Sequence, residues 1–285
     1  MALSVTIGGE SPKIKREGNV GYIVPAVLII AIFFVIPVLM LLVRSVLEPE
    51  LGLQNYQALL GSTTYLRVFL NTFTVAGIAT IVSILLGYPV AWLLAIMPER
   101  WSRLVLAIIV LSMWTNLLTR TYAWMVLLQR TGVVNKTLMG LGLIDKPLAL
   151  VNNLVGVTIG MTYIMLPFVI LPLMGVLRSI DPAILRAAAL CGANKRQCFT
   201  RVLLPLSLPG IAAGALMVFV MSLGYYVTPA LLGGTSNMML AELVAQFVQS
   251  LVNWGMGGAA ALVLLVVTLI LYAVQLRFFN PRRMR

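Results

Sequence analysis

The sequence predicts an all-α membrane protein with six transmembrane helices. Hydrophobic residues make up 61% of the 285 residues and charged residues only 10%, which leaves too little polar surface to cover a water-soluble globule. A helix needs about 20 apolar residues to cross roughly 30 Å of hydrocarbon, and backbone in lipid must satisfy its own hydrogen bonds. Six apolar runs meet these demands: 22–43, 68–97, 104–128, 154–177, 202–223 and 257–276.

The distribution of Lys and Arg predicts that both termini are cytoplasmic. With six spans and the N-terminus inside, only six of the 20 basic residues fall on the outer side: Arg44, Arg67, Arg120, Arg130, Lys136 and Lys146. The other basic residues fall inside, as the positive-inside rule requires. The net charge of +12 is therefore explained by the orientation of the spans in the lipid bilayer. We expect no nucleic-acid partner.

The predicted organisation is a cytoplasmic tail 1–21, a transmembrane domain 22–280 and a cytoplasmic tail 281–285. A signal peptide is disfavoured, because the first apolar run is too long and no small-residue cleavage site follows it. Cys191 and Cys198 are the only cysteines and the chain has no histidine. We expect these thiols to be packing residues, and we expect neither a metal site nor His-based catalysis.

The polar segment 178–205 separates the fourth and fifth apolar runs. Asp181 and Pro182 are typical of a helix N-cap and first helical position, and Gly192 is typical of a left-handed helix end. Ile184, Ala187, Ala188 and Cys191 fall at helical spacing and form a small apolar face.

A second short helix is expected to begin at Asn194, with the apolar side that carries Phe199 against the membrane. Pro205 and Pro209 are expected to kink the span that follows. These features predict a short helix–turn–helix lying across the cytoplasmic face. The alternative is a plain amphipathic connector between two spans.

The stretch "LRAAALCGANKRQCFTRVLLPLSLPGI" (185–211) resembles the coupling-loop motif of ABC-importer permeases. Its alanine pair, its glycine, its Leu-Pro and its Pro-Gly stand at the spacing of that motif, whereas Arg186 replaces the family's glutamate. The resemblance implies that the loop docks on an ATPase subunit. The candidate coupling residues are Asp181, Arg186, Ala187, Ala188, Gly192, Ala193, Phe199, Leu204, Pro205, Pro209 and Gly210.

Four further stretches resemble spermidine/putrescine-type permeases in the same order: "LGYPVAWLLA" (86–95), "WTNLLTRTYAW" (114–124), "GVVNKTLMGLGLIDKPLAL" (132–150) and "TYIMLPFVILPL" (162–173). The resemblance implies a type I ABC importer permease in the bacterial inner membrane, with cytoplasmic coupling helices between the fourth and fifth spans. It also implies a pair of ATPase subunits, a second and different permease, and a periplasmic or extracellular solute-binding protein. Relatives of this branch carry polyamines, opines, amino-acid-like compounds or iron.

The chain contains no G-x-x-x-x-G-K-[ST] phosphate loop, so ATP and Mg²⁺ are expected on the partner ATPase and no cofactor on this chain. A membrane enzyme or an ATP-independent channel is the alternative class. It is disfavoured because the sequence offers neither paired carboxylates nor ion-coupling acids within the spans.

A polyamine pathway would need aromatic faces and carboxylates. The candidate pathway residues are Trp114, Arg120, Tyr122, Tyr163, Tyr225 and Tyr226. Aromatic residues near span ends also form interfacial belts, and Arg120 at the interface also fits a snorkelling role. An arginine in the pathway would favour an anionic or zwitterionic solute. Because acids are scarce on the outer side, we expect solute selection to reside mainly in the separate binding protein.

Overall fold

The computed structural model describes residues 24–278, and every regular element in that range is helical. The first half of the described chain comprises α1 (Val24–Leu47), α2 (Gln54–Gly61), α3 (Thr63–Ile96), α4 (Glu99–Trp114), α5 (Leu117–Leu128) and α6 (Val133–Gly140). The second half comprises α7 (Leu154–Ser179), α8 (Pro182–Leu190), α9 (Lys195–Leu223), α10 (Val227–Leu232), α11 (Leu240–Ala245) and α12 (Trp254–Phe278). A π-helical turn, Gln246–Ser250, extends α11.

Five described helices, α1, α3, α7, α9 and α12, are long and apolar enough to cross a membrane. They overlap five of the six predicted runs, and α7 begins at the predicted residue. The predicted tails 1–21 and 281–285 lie outside the described residues. The chain divides after Leu41 into two compact units. The core described below belongs to the second unit.

The prediction of one continuous helix over 104–128 is wrong. α4 ends at Trp114 and α5 begins at Leu117. The angle between α4 and the following segment Leu117–Gly140, which contains α5 and α6, is 96°. The Asn116 side chain caps α5 by accepting the N–H of Leu118 at 2.9 Å. Polar side chains of this kind give the backbone an alternative to the helical hydrogen bond, so the apolar run breaks there.

The main core lies where α3, α7 and α9 pack together. Fully buried side chains come from all three helices: Val75 and Ala79, Met165 and Val169, and Val218. Two glycines one turn apart on α9 allow the closest approach to α7. A Cβ built on Gly210 would lie 3.2 Å from the Cα of Leu173, and one built on Gly214 would lie 3.1 Å from the Cα of Val169. Small residues four apart are a common device for close helix contact in lipid.

Replacing Gly214 with valine is expected to destabilise the protein by about 1–3 kcal/mol, because the added side chain would meet backbone atoms that cannot rotate away. The measurement is the thermal unfolding midpoint of the detergent-solubilised protein. Gly175→Val is the matched control, since Gly175 lies on α7 with no atom within 4 Å of a built Cβ. Equal midpoints for the two variants would contradict the packing of α9 against α7.

Candidate functional site

The segment from Asp181 to Leu203, here called the elbow, connects α7 to α9. The Asp181 carboxylate accepts the N–H of Ala183 at 2.8 Å, and Pro182 occupies the first turn of α8. Gly192 has φ of +85°. The N–H of Gly192 donates to Ala189 at 3.0 Å and that of Ala193 donates to Ala188 at 3.1 Å. This pair of bonds is a Schellman motif, which only a residue tolerant of positive φ can close. The predicted start and end of α8 are both confirmed.

The second helix of the elbow begins where it was predicted. Asn194 and Gln197 form a capping box, in which each side chain accepts the other residue's backbone N–H at 2.9 Å. The prediction of a separate short helix is wrong, however, because α9 runs without interruption from Lys195 to Leu223.

A π-helical turn, Cys198–Leu203, stands immediately before Pro205. In this turn the N–H of Leu204 bonds to the carbonyl of Phe199. Such a turn gives local room for a proline, which has no N–H to donate and whose ring would otherwise crowd the preceding helical turn. The helix that leaves the elbow is therefore the fifth span itself.

The expected orientation of Phe199 toward the membrane is also wrong. Its ring packs edge-on against Tyr88, with 5.7 Å between centroids, and lies 6.3 Å from the ring of Trp92. Both partners belong to the last turns of α3. Leu203 is buried in the main core. The apolar side of the second helix thus fastens the elbow to the bundle.

The outer surface of α8 remains uncovered. Ala187, Leu190 and Cys191 stand within one helical turn and all are exposed. Leu190 is 90% exposed, the largest fraction of any large hydrophobic side chain in the described residues. The interpretation of Cys191 as a packing residue is wrong. Cys191 lies in the turn that ends α8, where its side chain is exposed to solvent. Cys198 is half-buried and its thiol donates to the carbonyl of Ala193 at 3.6 Å.

Arg186 lies on the exposed side of α8 and forms no ion pair with the described residues. Behind the turn of the elbow is a cavity of about 360 Å³, whose walls include Ala188, Gly192 and Arg201. The surface of the elbow therefore combines the apolar side chain of Leu190, the small residues Ala188 and Gly192, and the basic side chains of Arg186 and Arg201.

A partly buried polar junction anchors the base of the elbow. Arg178, at the end of α7, donates to the hydroxyl of Ser102 at 2.5 Å and to the carbonyl of Leu94 at 3.4 Å. Ser102 is fully buried and donates to the same carbonyl at 2.7 Å. The junction ties the ends of α3 and α7 to the start of α4. Displacement of the elbow would therefore act on several helices together. Sequence reasoning did not identify Ser102, because a lone serine in a polar connection carries no distinctive pattern.

Two of the six candidate pathway residues, Arg120 and Tyr225, are neighbours. Burial raises the pKa of the Tyr225 hydroxyl, and the Arg120 guanidinium partly lowers it. The Nε atom of Arg120 is buried without a hydrogen-bond partner in the described residues. Beside them the hydroxyls of Thr121 and Thr228 lie 3.3 Å apart and connect α5 to α10.

The other four candidates are all exposed. Trp114 is 85% exposed at the end of α4, and Tyr122 and Tyr226 are also exposed. Tyr163 packs on Trp124 with 5.4 Å between ring centroids. Both rings line an apolar groove of about 600 Å³ between α3 and α7. This groove has the character of a surface for lipid or for another helix. Within residues 24–278 no three His, Cys, Asp or Glu side chains are grouped to hold a metal ion.

The chain matches the model of the family described as "Binding-protein-dependent transport system inner membrane component" over residues 57–285. It is 35% identical to the spermidine/putrescine transport system permease protein PotB of Escherichia coli strain K12 over 81% of this chain and 84% of the relative. It is 36% identical to the PotB protein of Haemophilus influenzae over 86% of this chain and 89% of the relative.

A chain of a crystallised bacterial alginate ABC transporter, in complex with an alginate pentasaccharide-bound periplasmic protein, superposes with a TM-score of 0.72 at 19% identity. The superposition covers 92% of this chain and 94% of that chain. At this identity the likeness bears on the fold, which is that of an ABC importer permease.

Proposed function

The chain belongs to the family of binding-protein-dependent transport system inner membrane components, and we propose that it forms half of an ATP-driven pathway for uptake of a polyamine. It is a permease subunit of an ABC importer. The observation that supports its specific role is the exposed surface of the elbow. The chain carries no phosphate-binding loop of its own, and the elbow offers the surface through which an external ATPase would act.

The elbow would dock on the ATPase through Leu190 and the small side chains beside it. Exposed apolar residues that stand together mark sites of protein contact, and Leu190, at 90% exposed, stands within one helical turn of exposed Ala187 and Cys191. Closure of the ATPase pair would push α8 as a rigid body. Phe199, Leu203 and the Arg178 junction would then carry the displacement into α3, α7 and α9.

The elbow is placed in the cytoplasm in this proposal, with both termini on the same side. The elbow and the end of α7 carry Arg178, Arg186, Lys195, Arg196 and Arg201, and the positive-inside rule assigns such a concentration of basic residues to the cytoplasmic side of a bacterial inner membrane. The whole segment 22–280 would then act as one permease domain.

The complex is proposed to contain this chain, a second permease of different sequence, two ATPase subunits that bind ATP and Mg²⁺, and an external solute-binding protein. Polyamine is the preferred solute because the relatives named for spermidine and putrescine match most of this chain. A second candidate is a zwitterionic solute. The buried Nε of Arg120 has no partner in the described residues, and it could face an anionic group.

The test is reconstitution of the complete complex in proteoliposomes with radiolabelled spermidine or putrescine supplied on its binding protein. We expect uptake that requires ATP and stops when the ATPase subunits are omitted. Uptake without nucleotide, or purification of the permease pair with no affinity for an ATPase, would contradict the proposal. Uptake of a zwitterion in preference to either polyamine would favour the second candidate.

A further inference from the structure

Glu242 is the only charged residue between Arg201 and Arg277. It lies in α11, within the connection between the fifth and sixth spans. This long stretch therefore contains a single carboxylate and no cation of its own. Acidic residues kept in such apolar surroundings are expensive and usually mark an ion or substrate pathway.

The helix that carries Glu242 is fixed to α3 at a point well inside that helix rather than at its end. The N–H of Leu240 donates to the buried hydroxyl of Thr72 at 2.8 Å. Thr72 lies about 14 Å along α3 from Thr63, at 1.5 Å per residue. Leu240 and Leu243 pack in an apolar cluster with Val68 and Phe247. α11 is thus held inside the bundle by both a hydrogen bond and apolar packing.

The carboxylate of Glu242 has no cationic partner in the described residues. Its Oε2 atom is buried and makes no hydrogen bond to them. The two ion pairs within residues 24–278 are Arg44 with Glu48 and Arg103 with Glu99. Burial raises the pKa of Glu242, and the backbone of Met239 offsets this rise only in part. A carboxylate in this state gains most from an added positive charge.

The other described acids are already accounted for. Glu48 and Glu99 are in ion pairs, Asp181 caps α8, and Glu50 and Asp145 are exposed to solvent. Glu242 is therefore the one described acid that is half-buried and has no ion pair with the described residues.

From this geometry we propose that Glu242 binds an ammonium group of the transported solute, with Oε2 as its acceptor. The assignment rests on the proposed polyamine function, because an alkylammonium is the cation such a solute supplies. A carboxylate with an uncommitted oxygen forms a charge-assisted hydrogen bond with an ammonium donor. One carboxylate binds one ammonium end of a polyamine, and the rest of the polyamine stays free to move along the pathway.

The test compares Glu242→Gln, Glu242→Asp and the matched control Glu50→Gln in the complete complex, with spermidine supplied at saturating binding protein. Loss of a hydrogen bond to a charged group corresponds to a fall in affinity of about 10-fold or more. We expect that fall in the uptake rate of E242Q and in the spermidine retained by the complex without binding protein. E242D is expected to recover part of both, and E50Q to match the unmutated complex. Basal ATP hydrolysis and assembly are expected to stay unchanged.

Three results would overturn the assignment. Equal uptake and retention by E242Q and the unmutated complex would show that the carboxylate does not meet the solute. Loss of the second permease from both Glu242 variants would make the residue a subunit contact or a folding requirement instead. If the unmutated complex took up no polyamine, the proposed function would fail first and this assignment with it. The unmutated complex therefore separates the two failures.

Discussion

Replacing Leu190 with aspartate is expected to abolish ATP-driven uptake while leaving the protein folded and inserted. Leu190 is 90% exposed and makes little contact with its own bundle, so the substitution should cost the isolated permease almost nothing. In the docked complex the side chain would enter an apolar site on the ATPase. Truncating or charging such a central anchor typically costs about 2 kcal/mol or more, roughly a 30-fold loss of affinity.

The measurement is binding of the purified ATPase to the permease pair, together with solute-stimulated ATP hydrolysis. Leu190→Met keeps an apolar side chain of similar volume and should retain both. Leu141→Asp is the second control, because Leu141 is another highly exposed leucine that lies just after α6, outside the elbow. If L190D and L141D bound the ATPase equally well, Leu190 would not be the anchor.

Replacing Gly192 with valine is expected to weaken the coupling between the ATPase and transport. Uptake and solute-stimulated ATP hydrolysis should both fall about 10-fold or more. The backbone at Gly192 has φ of +85°. A left-handed conformation costs an ordinary L-residue about 1–2 kcal/mol, and a β-branched residue is a stronger outlier there. The Schellman bonds to Ala188 and Ala189 would be lost and α8 would change direction relative to α9.

Sterics and backbone conformation can be separated at this position. A Cβ built on Gly192 meets no atom of this chain within 4 Å, so within the permease we expect valine to act through φ rather than through a clash. Gly192→Asn is therefore the informative control, since asparagine tolerates the left-handed region. We expect G192N to keep most of the coupled activity. Equal impairment by valine and asparagine, or none by either, would contradict the role of this turn.

Local chemistry made the ends of the elbow helices predictable. Asp181 before proline, Gly192 after an alanine run and Asn194 ahead of Gln197 are each capping residues whose preference is intrinsic to a few neighbouring residues. Five of the six spans were equally predictable, because length and apolarity alone identify a helix in lipid. These features need no knowledge of the rest of the fold.

The errors arose where tertiary contacts decide the outcome. Phe199 was expected to face lipid, but the aromatic residues at the end of α3 offer it a better surface. The break at Asn116 was detectable, since Ser, Thr and Asn side chains accumulate there and compete for the backbone.

The aromatic and arginine candidates for the pathway were chosen by residue type, and the structure places Arg120 beside Tyr225. Glu242 carries no distinctive sequence pattern, because the lack of an ion-pair partner cannot be predicted from the sequence.

The most direct test of the central claim, that a cytoplasmic elbow docks on a separate ATPase, is thiol labelling of Cys191. This cysteine is exposed beside Leu190, whereas Cys198 is half-buried; Cys191→Ser reports any background from Cys198. A membrane-impermeant maleimide is expected to label Cys191 in inside-out vesicles stripped of ATPase, and labelling should fall when the ATPase is added back. Labelling in right-side-out vesicles, or labelling at the same rate with and without the ATPase, would contradict the claim.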